Sequence, residues 1–122
     1  MDLETIKNME YGTKIHELLE FADFNNPKDE IVKSLLTQID KNFINIYHEY
    51  EFIYTEKKVE YHGIIDLLVE YNDKIYIIDY KLKSTDDIAY IKQLTGYKNY
   101  ITNITNKIVK TYLYFILLFL RK

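Results

Sequence analysis

The sequence lacks cysteine altogether. Without a thiol the chain forms no disulfide, no thiolate-bound zinc site and no cysteine-ligated iron–sulfur cluster. Arginine occurs once, at Arg121, so any phosphate contacts would come mainly from lysine, which acts as a point charge rather than a bidentate fork. The N-terminus has no basic start followed by an apolar run, and the longest apolar stretch, residues 112–120, is too short to span a bilayer. These absences predict a cytoplasmic protein that does not act in a membrane.

The charge balance is mildly acidic, with a net charge of −3 and a pI near 5.6. A free-standing nucleic-acid binder usually has a strong basic excess, so this balance argues against one. It does not exclude a metal-dependent enzyme acting on nucleic acid, because such a site concentrates acidic residues and the ion supplies positive charge locally. With 122 residues, 48% of them hydrophobic, the chain is expected to form one soluble domain over residues 1–122.

The apolar pattern predicts an alternation of helices and strands. Helices are expected over residues 13–24, 29–40 and 86–102, and strands over residues 47–55, 64–71, 74–81 and 109–119. The last strand is continuously apolar, which is typical of a strand buried on both faces. Its connection through a helix implies a parallel pair with a right-handed crossover, whereas the earlier strands form antiparallel hairpins. The sequence therefore predicts an α/β/α sandwich with a mixed four-stranded sheet flanked by helices.

Two aspartates occupy the hairpin formed by the second and third strands. If Asn72-Asp73 is a two-residue loop, counting back along both strands places Asp66 directly opposite Asp79. Opposed side chains have Cβ atoms about 4.5–5.5 Å apart, and like charges there are destabilising. A divalent cation with a preference for oxygen ligands, Mg²⁺ or Mn²⁺, would hold such a pair together. Lys81 lies two residues beyond Asp79 and so projects from the same face.

Other interpretations of this hairpin stay open at the level of the residues alone. A loop of three or five residues would break the register, and Asn-Asp is a weaker turn dipeptide than Asn-Gly. Asp66 could instead form an ion pair with a lysine while Asp79 simply ends its strand, because structural ion pairs space carboxylates in the same way.

Four motifs in order resemble the PD-(D/E)XK nuclease superfamily, and most closely the nuclease domains of the RecB and AddA helicase–nucleases. They are Gly12-x-x-x-His16, Gly63-x-x-Asp66, Asp79-Tyr80-Lys81 and Tyr90-x-x-Gln93-Leu94-x-x-Tyr97. The resemblance covers roughly residues 11 to 117 and implies a restriction-endonuclease-like fold. It further implies a Mg²⁺- or Mn²⁺-dependent deoxyribonuclease, expected to be an exonuclease acting in DNA repair and recombination, with DNA as substrate and a helicase subunit or domain as partner.

The resemblance also implies a role for each motif residue. Asp66, Asp79 and Lys81 would be catalytic, and the metal ligands would be His16, Asp66, Asp79 and the backbone carbonyl of Tyr80. Gln93, Tyr97, Tyr90 and Glu20 would support the active site or contact DNA. A recurrent glutamate of the family matches Glu49 best, and no firm role follows for it.

The sequence departs from the family pattern in several places. Leu82 follows the Asp-Tyr-Lys motif where threonine is usual, and no phosphate-binding Gly-x-x-x-x-Gly-Lys-Ser/Thr motif is present, so no ATPase of its own is expected. The chain ends soon after its last strand, where the family often continues, which suggests a C-terminally truncated or minimal version. The alternatives to an active nuclease are a catalytically inactive nuclease fold that binds DNA or a helicase, and an interaction module with no metal site.

Overall fold

The computed structural model describes residues 2–81 and 88–115. Within these ranges there are three helices and a mixed four-stranded sheet, and their order along the chain is α1, α2, β1, β2, β3, α3, β4. This order confirms the predicted succession of elements and the α/β class. None of the helices in these ranges combines the length and apolar character needed to cross a membrane.

The described chain divides into two compact units, the first formed by residues 2–41, 80–81 and 113–115. Helix α1 spans Leu3–Phe21 and therefore begins ten residues before its predicted start. Helix α2, Glu30–Leu36, is shorter than predicted. The Asp29 side chain accepts a hydrogen bond of 2.9 Å from the Ile31 amide, which satisfies one of the amides that a helix start leaves unpaired. The buried side chains of this unit include Leu19, Phe24, Ile31, Val32 and Leu35.

The second unit, residues 42–79 and 88–112, carries most of the sheet. Its strands are β1 (Asn45–Glu56), β2 (Val59–Glu70), β3 (Lys74–Lys81) and β4 (Ile108–Phe115), in that spatial order. Strands β1 and β2 are antiparallel, as are β2 and β3. The Tyr71 amide donates a hydrogen bond of 2.9 Å to the Lys74 carbonyl, so the β2–β3 loop consists of Asn72 and Asp73, as predicted.

Strand β4 departs from its predicted burial. Val109 and Tyr114 are buried, but Ile108 and Lys110 are exposed, so the strand alternates between a covered and an open face. The expectation that it is buried on both faces is wrong for these residues, because every second side chain from Ile108 to Tyr112 is exposed. Residues 116–119 of the predicted strand lie outside the described residues.

One polar cluster fixes the turn end of the sheet. The Lys107 ammonium donates to the Glu70 carboxylate at 3.1 Å and to the Tyr71 carbonyl at 2.8 Å. The Asn45 amide donates to the other Glu70 oxygen at 2.8 Å. Hydrogen bonds from Asn45 and Lys107 lower the pKa of Glu70 below its ordinary value. The loop after α3 is thereby tied to β2.

Aromatic packing joins α3 (Ile88–Thr105) to the strands. The Phe52 ring on β1 stacks on Tyr100 of α3, with ring centroids 5.0 Å apart and planes 9° from parallel. It also meets Tyr97 edge to face, again at 5.0 Å. Phe52 pairs across the strands with Gly63, and a Cβ on Gly63 would overlap the Phe52 ring. The glycine of the Gly63-x-x-Asp66 motif therefore provides the space in which Phe52 lies.

The two glycines of this unit are expected to respond differently to alanine. Gly63→Ala should lower the free energy of unfolding by about 1–3 kcal/mol, because overpacking a well-filled site forces side chains from their preferred positions. Gly96→Ala in α3 meets only the hydroxyl end of Tyr54, 2.7 Å away. A tyrosine tip moves more easily, and alanine gains about 1 kcal/mol of helix propensity over glycine. Chemical denaturation measures the free energy of unfolding of both variants. An equal decrease in the two would contradict the prediction.

Candidate functional site

Two carboxylates meet on neighbouring strands of the second unit. The register pairs His48 with Leu67 and Tyr50 with Ile65, so Glu49 of β1 and Asp66 of β2 occupy the position between these pairs. Their carboxylate oxygens lie within 4.8 Å of each other. Both side chains are partly buried. Since paired carboxylate oxygens are the ligands that hard divalent cations prefer, these two groups could hold such an ion.

The backbone of Glu49 is unusual for its residue type. Its φ of 48° lies in the left-handed region, which costs a residue with a Cβ free energy of order 1–3 kcal/mol. The β1–β2 register pairs the residues on either side of Glu49 with their β2 partners but has no strand pairing between Glu49 and Asp66. Strain of this kind is common at active sites and ligand-binding sites, and here it falls at the position where two carboxylates face each other.

Asp79 continues the acidic row onto the third strand. The β2–β3 register runs from Glu70–Ile75 to Leu67–Ile78, and Asp66 and Asp79 occupy the next position beyond the last of these pairs. The register that places the two aspartates together is therefore the one predicted from the sequence. Glu49, Asp66 and Asp79 thus lie side by side in one row that crosses three neighbouring strands.

Tyr97 brings helix α3 to this row of carboxylates. Its hydroxyl accepts a hydrogen bond of 3.4 Å from the Ile64 amide, two residues before Asp66. Burial raises the pKa of Tyr97 above its ordinary value, and the negative charges of Asp79 and Asp66 raise it further. The tyrosine hydroxyl is thus within electrostatic reach of both aspartates.

The two other residues of α3 that were predicted to support the site, Gln93 and Tyr90, have no described contact with the carboxylates. Gln93 is exposed and lines an open groove of about 800 Å³ beside the β1–β2 hairpin, to which Tyr97 also contributes. Tyr90 lies on the helix, but its side chain falls outside the described structure.

Four further predicted residues belong to the first unit. His16 and Glu20 are one turn apart on α1, and both are partly buried. The His16 ring meets the Tyr80 ring edge to face, with centroids 5.4 Å apart. Lys81 ends β3 and is also partly buried. The metal-binding role of His16 and of the Tyr80 carbonyl stays a prediction.

Glu49 is the residue that sequence reasoning left without a role. Its place in the site depends on the β1–β2 register and on its left-handed backbone, neither of which a strand pattern reveals. The one available signal was its match to a recurrent glutamate of the nuclease family.

The sequence matches no protein-family model, and a search of curated proteins finds no significant match. The resemblance to the nuclease superfamily therefore stays a prediction from the four sequence motifs.

A divalent cation should stabilise the folded chain through the two opposed carboxylates. A ligand that binds only the folded state adds about 2.7 kcal/mol at a hundred times its dissociation constant. We therefore expect Mn²⁺ to raise the melting temperature of the wild type, and Asp66→Asn and Glu49→Gln to reduce that rise.

Glu51→Gln is the matched control for this experiment, because Glu51 is an exposed acid two residues along the same strand. It should keep the full response to Mn²⁺. Equal losses in the Glu51 and Glu49 variants would show that the ion responds to general surface charge and not to the opposed pair.

Alkaline conditions should weaken the fold partly through Tyr97. Since its pKa is raised in the folded state, the folded chain retains the proton that the unfolded chain releases. This contribution is fully present below the ordinary pKa of 10.0 and is lost as the pH rises through the folded value. Tyr97→Phe should therefore flatten the decline of unfolding free energy above that pH, while costing about 0.5–1.5 kcal/mol at neutral pH for the lost hydrogen bond. Urea unfolding across the alkaline range measures both effects, and Tyr112→Phe, at an exposed position on β4, is the control.

Proposed function

We propose that this protein is a divalent-metal-dependent deoxyribonuclease that hydrolyses phosphodiester bonds, of the RecB and AddA type. The observation that carries the proposal is the row of Glu49, Asp66 and Asp79 on three adjacent strands, with Tyr97 close to the two aspartates. Three of these four residues belong to the motifs that resemble the nuclease family. The α/β class and the mixed sheet support the proposed restriction-endonuclease-like sandwich.

The donor set fits Mg²⁺ or Mn²⁺. Oxygen ligands from carboxylates suit these hard cations, and a site without sulfur disfavours soft metals. Glu49, Asp66 and Asp79 would hold the ion, and we propose His16 and the Tyr80 carbonyl as further ligands on the strength of the sequence resemblance. Such an ion, when bound, lowers the pKa of a coordinated water and neutralises charge on the phosphate.

The side chains around the ion have separate tasks. The three carboxylates would hold the cation, whose positive charge would offset their repulsion of the substrate phosphate. The Lys81 ammonium, two residues beyond Asp79, provides the positive charge that stabilises the phosphoryl oxygens as negative charge develops on them. The Tyr97 hydroxyl, held by the Ile64 amide, fixes the β2 backbone next to Asp66.

The biological setting is proposed from the same resemblance. An exonuclease acting in DNA repair or recombination, with DNA delivered by a helicase subunit or domain, accounts for the modest acidic charge of the chain, because the partner then supplies much of the grip on DNA.

Degradation of end-labelled linear DNA by the purified chain tests the proposal. With Mn²⁺ or Mg²⁺ we expect cutting that EDTA abolishes. Asp79→Asn should lower the rate at least about 100-fold, the loss typical of removing one group that stabilises charge in a transition state. Lys81→Gln should do the same while keeping the thermal response to Mn²⁺, since the ammonium is not a ligand.

Asp73→Asn is the matched control for Asp79→Asn, because Asp73 is an exposed acid in the loop of the same hairpin. It should cut at the wild-type rate. Metal-dependent stabilisation without cutting, in the presence of the intact motifs, would favour the inactive module that binds DNA or a helicase. Absence of both cutting and metal response would refute the nuclease.

A further inference from the structure

We propose that the groove beside α3 binds an unpaired nucleotide strand, with Tyr61 stacking on a base and Lys57 and Lys92 contacting phosphates. This base-binding groove is separate from the carboxylates, and its place in substrate binding rests on the proposed nuclease function. Its walls come from the β1–β2 hairpin and from α3, all within the second unit.

The aromatic wall offers a stacking surface. Tyr61 and Tyr54 stack with centroids 5.2 Å apart and planes 18° from parallel. Tyr61 nevertheless stays 44% exposed, so its ring is supported on the protein side and accessible to a ligand. A supported, exposed aromatic ring is the arrangement on which unpaired bases stack with little sequence preference. A paired base has both faces covered by its neighbours and has no equivalent contact.

The groove also carries positive charge in an acidic protein. Lys57 and Lys92 line it from the hairpin and the helix respectively, and the exposed amides of Gln93 and Asn99 add hydrogen-bonding groups. Glu56 is the one acidic residue among those that line the groove. Two ammonium groups beside an open ring match the alternation of phosphate and base along a single strand.

The β1–β2 turn holds two lysines in a backbone conformation that lysine disfavours. Lys57 and Lys58 form the loop between the Glu56–Val59 pair, and both have positive φ, 51° and 66°. Two-residue turns of this kind strongly favour Asn-Gly, since these residues tolerate the left-handed region. Two lysines in these positions strain the turn and place cations at the tip of the hairpin. Strained positions of this kind are characteristic of binding sites.

Tyr97 connects the wall of the groove with the strand that carries Asp66. The Tyr97 side chain lines the groove, and its hydroxyl accepts a hydrogen bond from the Ile64 amide, two residues before Asp66. On the proposed nuclease function, the groove would hold nucleotides next to the bond that is cut, because Tyr97 links the wall of the groove to the β2 backbone beside Asp66.

Binding of a fluorescent oligothymidylate to the full chain, measured by anisotropy in EDTA at about 50 mM salt, tests the groove where phosphate contacts are strong. We expect Tyr61→Ala to weaken binding about 5- to 150-fold, the range for loss of one stacked base, and Tyr61→Phe to retain it. An oligomer of the same length with abasic sugars should bind more weakly and should not distinguish Tyr61→Ala from wild type. Equal binding of the abasic strand or of a blunt duplex would overturn the proposal.

The turn offers a variant in which stability and binding are expected to change in opposite directions. Lys57→Asn with Lys58→Gly installs the favoured dipeptide, so the melting temperature should rise while oligonucleotide affinity falls. Lys57→Gln with Lys92→Gln should reduce the slope of log affinity against log salt by about 1.4, the amount expected for two single-strand phosphate contacts. Lys110→Gln, at an exposed position on β4 that does not line the groove, is the control. If neither double variant changes the oligonucleotide affinity, the assignment of phosphate contacts to Lys57 and Lys92 is overturned.

These measurements use no metal and no cutting, so they separate the groove from the nuclease. Stacking-dependent binding in a chain that never cuts would support the groove and refute the proposed activity. Metal-dependent cutting with no effect of Tyr61→Ala on binding would support the activity and overturn the groove.

Discussion

The position of Phe52 against Gly63 is the constraint on which the site depends. The ring occupies the volume that a side chain at position 63 would fill, and it faces Tyr97 and Tyr100 on α3. Because aromatic rings are large and rigid, this contact sets where the helix lies along β1 and β2. The Tyr97 hydroxyl then reaches the Ile64 amide, next to the carboxylates. One missing Cβ is thus coupled to the geometry of the site through a chain of direct contacts.

The acidic row creates an electrostatic conflict within the fold. Glu49 and Asp66 bring carboxylate oxygens within 4.8 Å, and the charges of Asp66 and Asp79 extend to Tyr97. Like charges at neighbouring sheet positions repel one another. The buried side chains Ile65, Leu67 and Val69 of β2, which alternate with Asp66 and its neighbours, supply apolar burial next to these acids. The apolar core therefore adjoins the site directly, and a bound cation, as proposed, would neutralise the charge of the acids.

Local rules were sufficient to predict the β2–β3 hairpin and the order of elements. A two-residue turn leaves little freedom in register, and alternation then determines which residues face each other, as it does for Asp66 and Asp79. The same rules could not reveal Glu49, because its left-handed backbone depends on the surrounding sheet. The early start of α1 was missed because residues 3–12 show no clear apolar stripe. The exposure of Ile108 on β4 was missed because an apolar run does not show which face of a strand other elements cover. The groove was missed because its lysines and tyrosines come from a turn and a helix that are distant in sequence.

Strand β1 is a long edge strand. It lies at the end of the described strand order and spans twelve residues, Asn45–Glu56. Long edge strands present a row of backbone groups that can template pairing with another chain, which leads to edge-to-edge aggregation. Here Glu49 interrupts the extended backbone, and Glu49, Glu51 and Glu56 distribute negative charge along the strand. Two copies of β1 brought side by side would meet both an irregular backbone and mutual repulsion. The distorted backbone at Glu49, one of the acids of the candidate site, thus also protects the sheet from adding another strand.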